Sequence, residues 1–141
     1  MSREILFKAK RKNWRELPKE EWWVEGYPVK YQPCASKEEW IYGIVPTYAS
    51  ALYIIEIDPE TLCQYIYMND KKGKRIWEND IVKHEVSDTI GTVKWYQEDY
   101  VGWCVDDIVI DEQQFTDEMW NECEVIGNIF DNPELLKGDA E

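Results

Sequence analysis

Between Ile81 and Tyr96 the chain repeats apolar side chains with a period of two, and this pattern constrains the fold more than any other feature. Val82, His84 and Val86 share one parity, with Lys83 and Glu85 between them; further on, Val93 and Trp95 alternate with Thr92 and Lys94. A period of two places successive side chains on opposite faces of an extended strand, whereas a helix would scatter them around its circumference. Similar short runs occur at residues 5–8, 22–31, 51–57, 100–105 and 124–129. Ala51–Ile57 reads as the clearest buried strand, with Ala51, Tyr53, Ile55 and Ile57 on one face and Leu52 and Ile54 on the other. Gly26 and Pro28 are expected to interrupt the 22–31 run, and the glycines of the last two runs to mark bulges. Asp58-Pro59-Glu60-Thr61 has the residue order of a type I turn.

Helices are expected to be short. Ser36-Lys37-Glu38-Glu39 matches a capping box, Thr116 is placed to cap a turn through Trp120, and Asn132-Pro133-Glu134-Leu135 opens a terminal helix. The polar, basic stretch Asn69–Arg75 is the natural boundary, giving a β-rich subdomain over 1–69 and a second subdomain over 70–141. The fold class is therefore mainly β, with a small antiparallel barrel in the second half and Val82, Val93, Trp95, Val125 and Ile129 in its core.

Charge narrows the partners. The net charge is −13, yet residues 1–15 hold six Lys/Arg against Glu4 alone, a net of +5 that leaves −18 on the remainder. From Glu98 onward there are fourteen Asp/Glu and only Lys137. Such a body repels phosphate backbones, so direct nucleic-acid binding is not expected. The N-terminal sequence contains no apolar signal-peptide core, and no stretch approaches the ~20 apolar residues of a spanning helix, so a cytoplasmic protein without membrane contact is expected.

The residues able to carry chemistry are few and scattered. Cys34, Cys63, Cys104 and Cys123 form no C-x-x-C pair, so zinc-site spacing is missing, and all four read as buried or half-buried thiols. His84, the single histidine, points with Val82 and Val86 and reads as a hydrogen-bonded core residue. The carboxylate pairs Glu98-Asp99, Asp106-Asp107 and Asp111-Glu112 point to opposite faces of any strand and do not converge by themselves. No catalytic, metal-binding or cofactor-binding residue is assigned, and no cofactor is expected.

Two segments resemble the signatures of the YopX-like family of phage and prophage proteins. In the first, Gln64-Tyr65 leads to Asp70-Lys71-Lys72-Gly73-Lys74, then Ile76, then Glu78-Asn79-Asp80-Ile81-Val82; in the second, Val125-Ile126-Gly127-Asn128-Ile129 leads into Asn132-Pro133-Glu134-Leu135-Leu136. Between them, Gly91-Thr92-Val93-Lys94-Trp95 is similar to the family's Gly-x-Val-x-aromatic strand, and Ile5-Leu6-Phe7-Lys8-Ala9-Lys10 is compatible with its opening. The chain departs from the family in carrying Ile66-Tyr67 where Thr-Gly is usual, which favours a continuous strand there. It also carries Asn79 where glycine is usual, and Asn tolerates the left-handed conformation that such a turn needs. Both signatures have structural explanations: Gly73 permits positive φ, Asp70 and Asp80 bond backbone N–H groups, and Gly127 allows a bulge or close packing. The resemblance implies an SH3-like barrel in the C-terminal half and a phage or prophage accessory protein with no established biochemical activity.

Eight Trp and nine Tyr exceed what a small core needs, and such side chains suit interfaces because they join apolar area to a polar tip. The expected function is non-enzymatic: self-association as a homo-oligomer, or binding of a host or phage protein, in the cytoplasm of a bacterial host cell. The alternative is an acidic DNA mimic that occupies the basic site of a host nucleic-acid-binding protein.

Overall fold

In the computed structural model the described residues are 5–32, 39–48, 53–86, 88–97, 102–106 and 117–137, with the side chains of 117 and 118 excepted. The chain forms two compact units, Met1–Gln64 and Tyr65–Glu141. The described residues are mainly β-strand in antiparallel sheets, as the period-two runs require.

The first unit is built on β1 (Phe7–Lys10), β2 (Trp23–Tyr31), β3 (Ile41–Pro46) and the short β4 (Ile55–Glu56), hydrogen-bonded in the order β4-β3-β2-β1. The first residues of β5 (Cys63–Asn69) pair with β1 through Phe7 opposite Gln64 and Lys8 opposite Cys63. Residues 7–10 are thus an interior strand and no free arm: β1 has β2 on one side and β5 on the other. Ala9, Val24, Ile44 and Ile57 form the core of this unit, with Ile55 and Leu62 against them.

Contrary to expectation, β2 runs unbroken through Gly26 and Pro28. The Thr47 N–H donates to the Glu25 carbonyl, which makes the odd-numbered residues of β2 the hydrogen-bonded ones towards β3. Pro28 therefore turns its nitrogen to the other side, where β1 has already ended at the Phe7–Gly26 pair, and the missing N–H costs nothing. At Gly26 a Cβ would lie 2.0 Å from the Val45 carbonyl oxygen, so the close approach of β3 explains the glycine.

The 51–57 run also differs from its reading. Ala51 and Leu52 lie outside the described residues, the strand is only Ile55–Glu56, and Ile57 is buried while Tyr53 is 53% exposed. Asp58–Thr61 does turn, as a 3-10 turn (Pro59–Thr61) whose Asp58 side chain accepts from the Glu60 N–H.

In the second unit β5 continues and pairs with β6 (Arg75–Trp77) across a register shift between Tyr65 and Asn69. β7 (Asp80–His84), β8 (Thr89–Tyr96), β9 (Gly102–Asp106) and β10 (Cys123–Asn128) form a second sheet in the order β10-β7-β8-β9. A helix, α1 (Asp117–Asn121), precedes β10, and Pro133–Lys137 is a 3-10 turn. Ile66 and Ile76 of the β5–β6 hairpin join Val82, Val93, Val105, Trp120, Cys123 and Val125 in one core. The sheet is open among the described residues, with β10 and β9 at its edges, so the expected barrel is not closed.

Of the five residues placed in this core by sequence, Val82, Val93 and Val125 are buried, Ile129 is half-buried and Trp95 is 47% exposed. The alternation of β8 is as read, but Trp95 stands past the end of the core, where it meets the ring of Trp103 edge-on at 5.1 Å. β7 likewise stops at His84, leaving Val86 exposed. The capping box at Ser36 and the cap at Thr116 lie outside the described residues.

The largest surprise is Tyr67. The strand is continuous over Cys63–Asn69, as Ile66-Tyr67 suggested, yet Tyr67 takes φ +68°, the left-handed conformation that glycine normally supplies, within the register shift towards β6. Asn79, at φ +72°, behaves as its sequence suggested.

Candidate functional site

Strand β1 places Lys8 and Lys10 on one face, opposite Glu25 and Trp23 of β2, while Phe7 and Ala9 take the other. The chain then turns through two 3-10 turns, Trp14–Glu16 and Lys19–Glu21, separated by Leu17-Pro18. This brings Trp14 and Trp22 back over β1, their rings 4.8 Å apart and edge-to-face. The indole N–H groups point outward from the pair, Trp22 to the Leu17 carbonyl at 2.9 Å and Trp14 to the Asp58 carboxylate at 3.4 Å.

The Lys10 ammonium lies against all three indoles, 3.7 Å from the centre of Trp14, 4.3 Å from Trp22 and 5.6 Å from Trp23. Lys10 is only 1% exposed, and its backbone N–H donates to Thr61 Oγ1 at 2.8 Å. A desolvated cation over an indole is worth about 2 kcal/mol or more, so three rings can offset part of the cost of burying the charge. Outward from this cage the alternation continues: Arg15 stacks on Trp14 at 4.3 Å, and Lys19 lies 5.9 Å from Trp22. Lys8 sits over Trp23 at 4.7 Å. Much of the excess tryptophan is therefore spent inside the unit, on its own cations.

Beside this ladder runs an open groove of about 800 Å³, lined by Arg11, Lys12 and Arg15, by Leu17, Tyr53 and Ile55 as apolar surface, and by Glu16, Glu21 and Glu56. Lys12 pairs with Glu56 at 3.2 Å, and Arg11 donates to the Glu21 backbone carbonyl at 2.5 Å. A second exposed region lies on β2 and β3. Tyr27 and Tyr31, opposite Val45 and Ile41, share one face of these strands, and Tyr27 is 50% exposed. Trp40 and Tyr42 are exposed nearby in sequence, with the Lys30 ammonium over both rings.

The residues weighed from sequence for chemistry are engaged in structure. His84 is buried, with Nε2 2.9 Å from a Glu122 carboxylate oxygen. Cys63, Cys104 and Cys123 are thiols in no disulfide, and the Cys63 Sγ–H donates to the Thr61 carbonyl at 3.2 Å; Cys34 lies outside the described residues. Burial pushes the Cys123 thiol up to about 12, with the charges of Glu122 and Asp70 adding to it, and burial also raises Cys104. Among the described residues no three His, Cys, Asp or Glu gather as metal ligands. Glu98-Asp99, Asp107 and Asp111-Glu112 lie outside the described residues.

The signature residues hold the second unit together. Asp70 Oδ1 accepts from the backbone N–H groups of Lys72 and Lys74 at 2.9 and 2.8 Å, and Oδ2 accepts from Val125 in β10 at 2.9 Å. Burial pushes this carboxyl up, but the bonds from Val125, Lys74 and Lys72 and the Lys74 charge outweigh it and hold it below its ordinary value. Gly73, at φ +81°, closes the turn. Asp80 Oδ2 accepts from the Trp77 N–H at 2.8 Å. Asn79 accepts from Ile129 and Lys94 and donates to the Val93 carbonyl.

The second signature is explained by contact between its own parts. Asn132 Oδ1 accepts from the Asn128 N–H at 3.2 Å, directly over Gly127, where a Cβ would lie 2.6 Å from that oxygen. β10 shifts register between Val125 and Gly127, so the bulge expected at this glycine is present. A family model described as YopX protein matches residues 18–137, which takes in both signatures. The chain belongs to the YopX family. Its fold is shared with the crystal structure of protein EF1440 from Enterococcus faecalis, at 20% identity and a TM-score of 0.54, over 96% of this chain and 99% of that one. At that identity the likeness concerns the fold alone. No curated protein matches the chain. In this YopX-family chain the motif residues are thus turn-formers and strand couplers, whereas the Lys10 cage and its groove lie in the first unit, largely before the signatures. The number of tryptophans is plain in the sequence, but their places are not. The available signal was the parity of Lys8 and Lys10 in a strand followed closely by Trp14, Trp22 and Trp23.

Proposed function

We propose that this YopX-family protein is a non-enzymatic phage or prophage accessory protein of the bacterial cytoplasm that acts by self-association or by binding another protein. The observation that carries the reading is the pair Tyr27 and Tyr31, exposed together on one face of β2 beside Val45 and Ile41. Aromatic side chains on a sheet face offer large contact area at low entropic cost, which is what a protein interface uses. The reading gains support from the groups that would otherwise carry chemistry, since His84, Asp70, Asp80 and Cys123 are buried in structural roles. Phage or prophage origin is what the family resemblance implies. We read the second unit as an SH3-like barrel left open at one seam, on the strength of its short antiparallel strands around one core.

The DNA-mimic reading draws on one feature, the concentration of charge: residues 65–141 hold nineteen Asp/Glu against seven Lys/Arg, while residues 1–64 hold ten against nine. Light scattering on the intact chain tests the first reading. A mass that is a multiple of 16.9 kDa supports self-association. Release of a model DNA duplex from a basic DNA-binding protein by the intact chain, with no change in its own mass, would favour mimicry instead.

A further inference from the structure

We propose that the groove beside the tryptophan ladder binds a carboxylate-rich peptide segment of another protein, gripped by the guanidinium groups of Arg11 and Arg15. Neither guanidinium pairs with a carboxylate among the described residues. Both are nevertheless held in place, Arg15 by its stack on Trp14 at 4.3 Å and Arg11 by its bond to the Glu21 carbonyl. A guanidinium fixed by stacking keeps its N–H fork free and loses little entropy when a carboxylate accepts two bonds from it. Lys12 is already neutralised by Glu56, so the two arginines are the groups left to meet an anion.

The rest of the groove selects among anions. Leu17, Tyr53 and Ile55 offer apolar surface that takes aliphatic side chains, which a free phosphate or a small acid would leave uncovered. Glu16, Glu21 and Glu56 line the same space and accept N–H groups from a peptide backbone, donors that a phosphodiester backbone does not have. Acids spaced between aliphatic residues therefore fit where nucleic acid does not. Tyr27 and Tyr31 do not line this groove, so the site stands apart from the proposed association surface.

The test is fluorescence anisotropy of the full-length chain at low salt with three labelled probes: an octapeptide alternating glutamate and leucine, its glutamine–leucine counterpart, and a thymidine oligonucleotide. The acidic peptide is expected to bind saturably, and the other two at least about ten-fold more weakly. Arg11→Gln and Arg15→Gln should each weaken the acidic peptide about five-fold or more with the far-UV circular dichroism unchanged, and Lys74→Gln, in the second unit, should leave it unchanged. Equal binding of the glutamine peptide, preference for the oligonucleotide, unaltered binding by both arginine variants, or no saturation by the acidic peptide would each overturn the proposal.

Discussion

Tyr67 adopts a backbone conformation that its own side chain opposes. A left-handed residue with a Cβ costs about 1–2 kcal/mol, and here the cost is set against ring contacts, Tyr67 with Tyr65 at 6.1 Å and Tyr65 with Trp77 at 5.6 Å. Truncation to alanine removes the ring and keeps the strain, whereas truncation to glycine removes both. Tyr67→Gly should therefore be more stable than Tyr67→Ala by about 1 kcal/mol in urea denaturation, although glycine is the more flexible chain. Equal stability of the two would mean that the backbone is unstrained. Asp70 works in the opposite sense, satisfying three backbone N–H groups at once. Asp70→Ala leaves them without their acceptor and should cost about 2–3 kcal/mol at neutral pH. Because the folded carboxyl sits below its ordinary value, its stabilisation is complete above that value and is lost as pH falls through the folded one. The gap between wild type and Asp70→Ala should accordingly narrow below about pH 4.

At the scale of elements, alternation made β8 and β10 legible, whereas the alternating 51–57 run before the Asp58-Pro59 turn gave only the short β4. β8 spans Thr89–Tyr96 as its pattern reads, and β10 carries the bulge at Gly127. What could not be read was set by partners distant in sequence. Pro28 survives inside β2 because β1 ends two residues earlier in the register, a fact of pairing that no local pattern contains. Tyr67 keeps a glycine's conformation because the β5–β6 register shift demands it. The Lys10 cage needs Trp14, Trp22 and Trp23 folded back over β1, and so sequence could count the rings without placing them. The Gly127–Asn132 contact tests whether the second signature is structural. Gly127→Ala forces its Cβ against Asn132 and should cost about 1–3 kcal/mol, read as a lower thermal midpoint with binding properties otherwise intact. A fully stable Gly127→Ala variant would show that the motif is kept for some other reason.

At the scale of the molecule, charge and aromatic surface divide between the units. The first is nearly neutral and holds the tryptophan cage, the groove and exposed tyrosines; the second carries most of the negative charge around a compact core. Since residues 7–10 are an interior strand, deleting them would dismantle the sheet. Exposed ion pairs contribute little individually, so an assembly built on tyrosine faces should respond only weakly to salt. The decisive measurement is sedimentation velocity at two salt concentrations on the intact chain and on the double variant Tyr27→Ser/Tyr31→Ser. An oligomer of the intact chain at both concentrations and a folded monomer of the variant are expected; a monomeric intact chain at tens of micromolar, or an oligomer that the double variant leaves untouched, would refute association through these tyrosines.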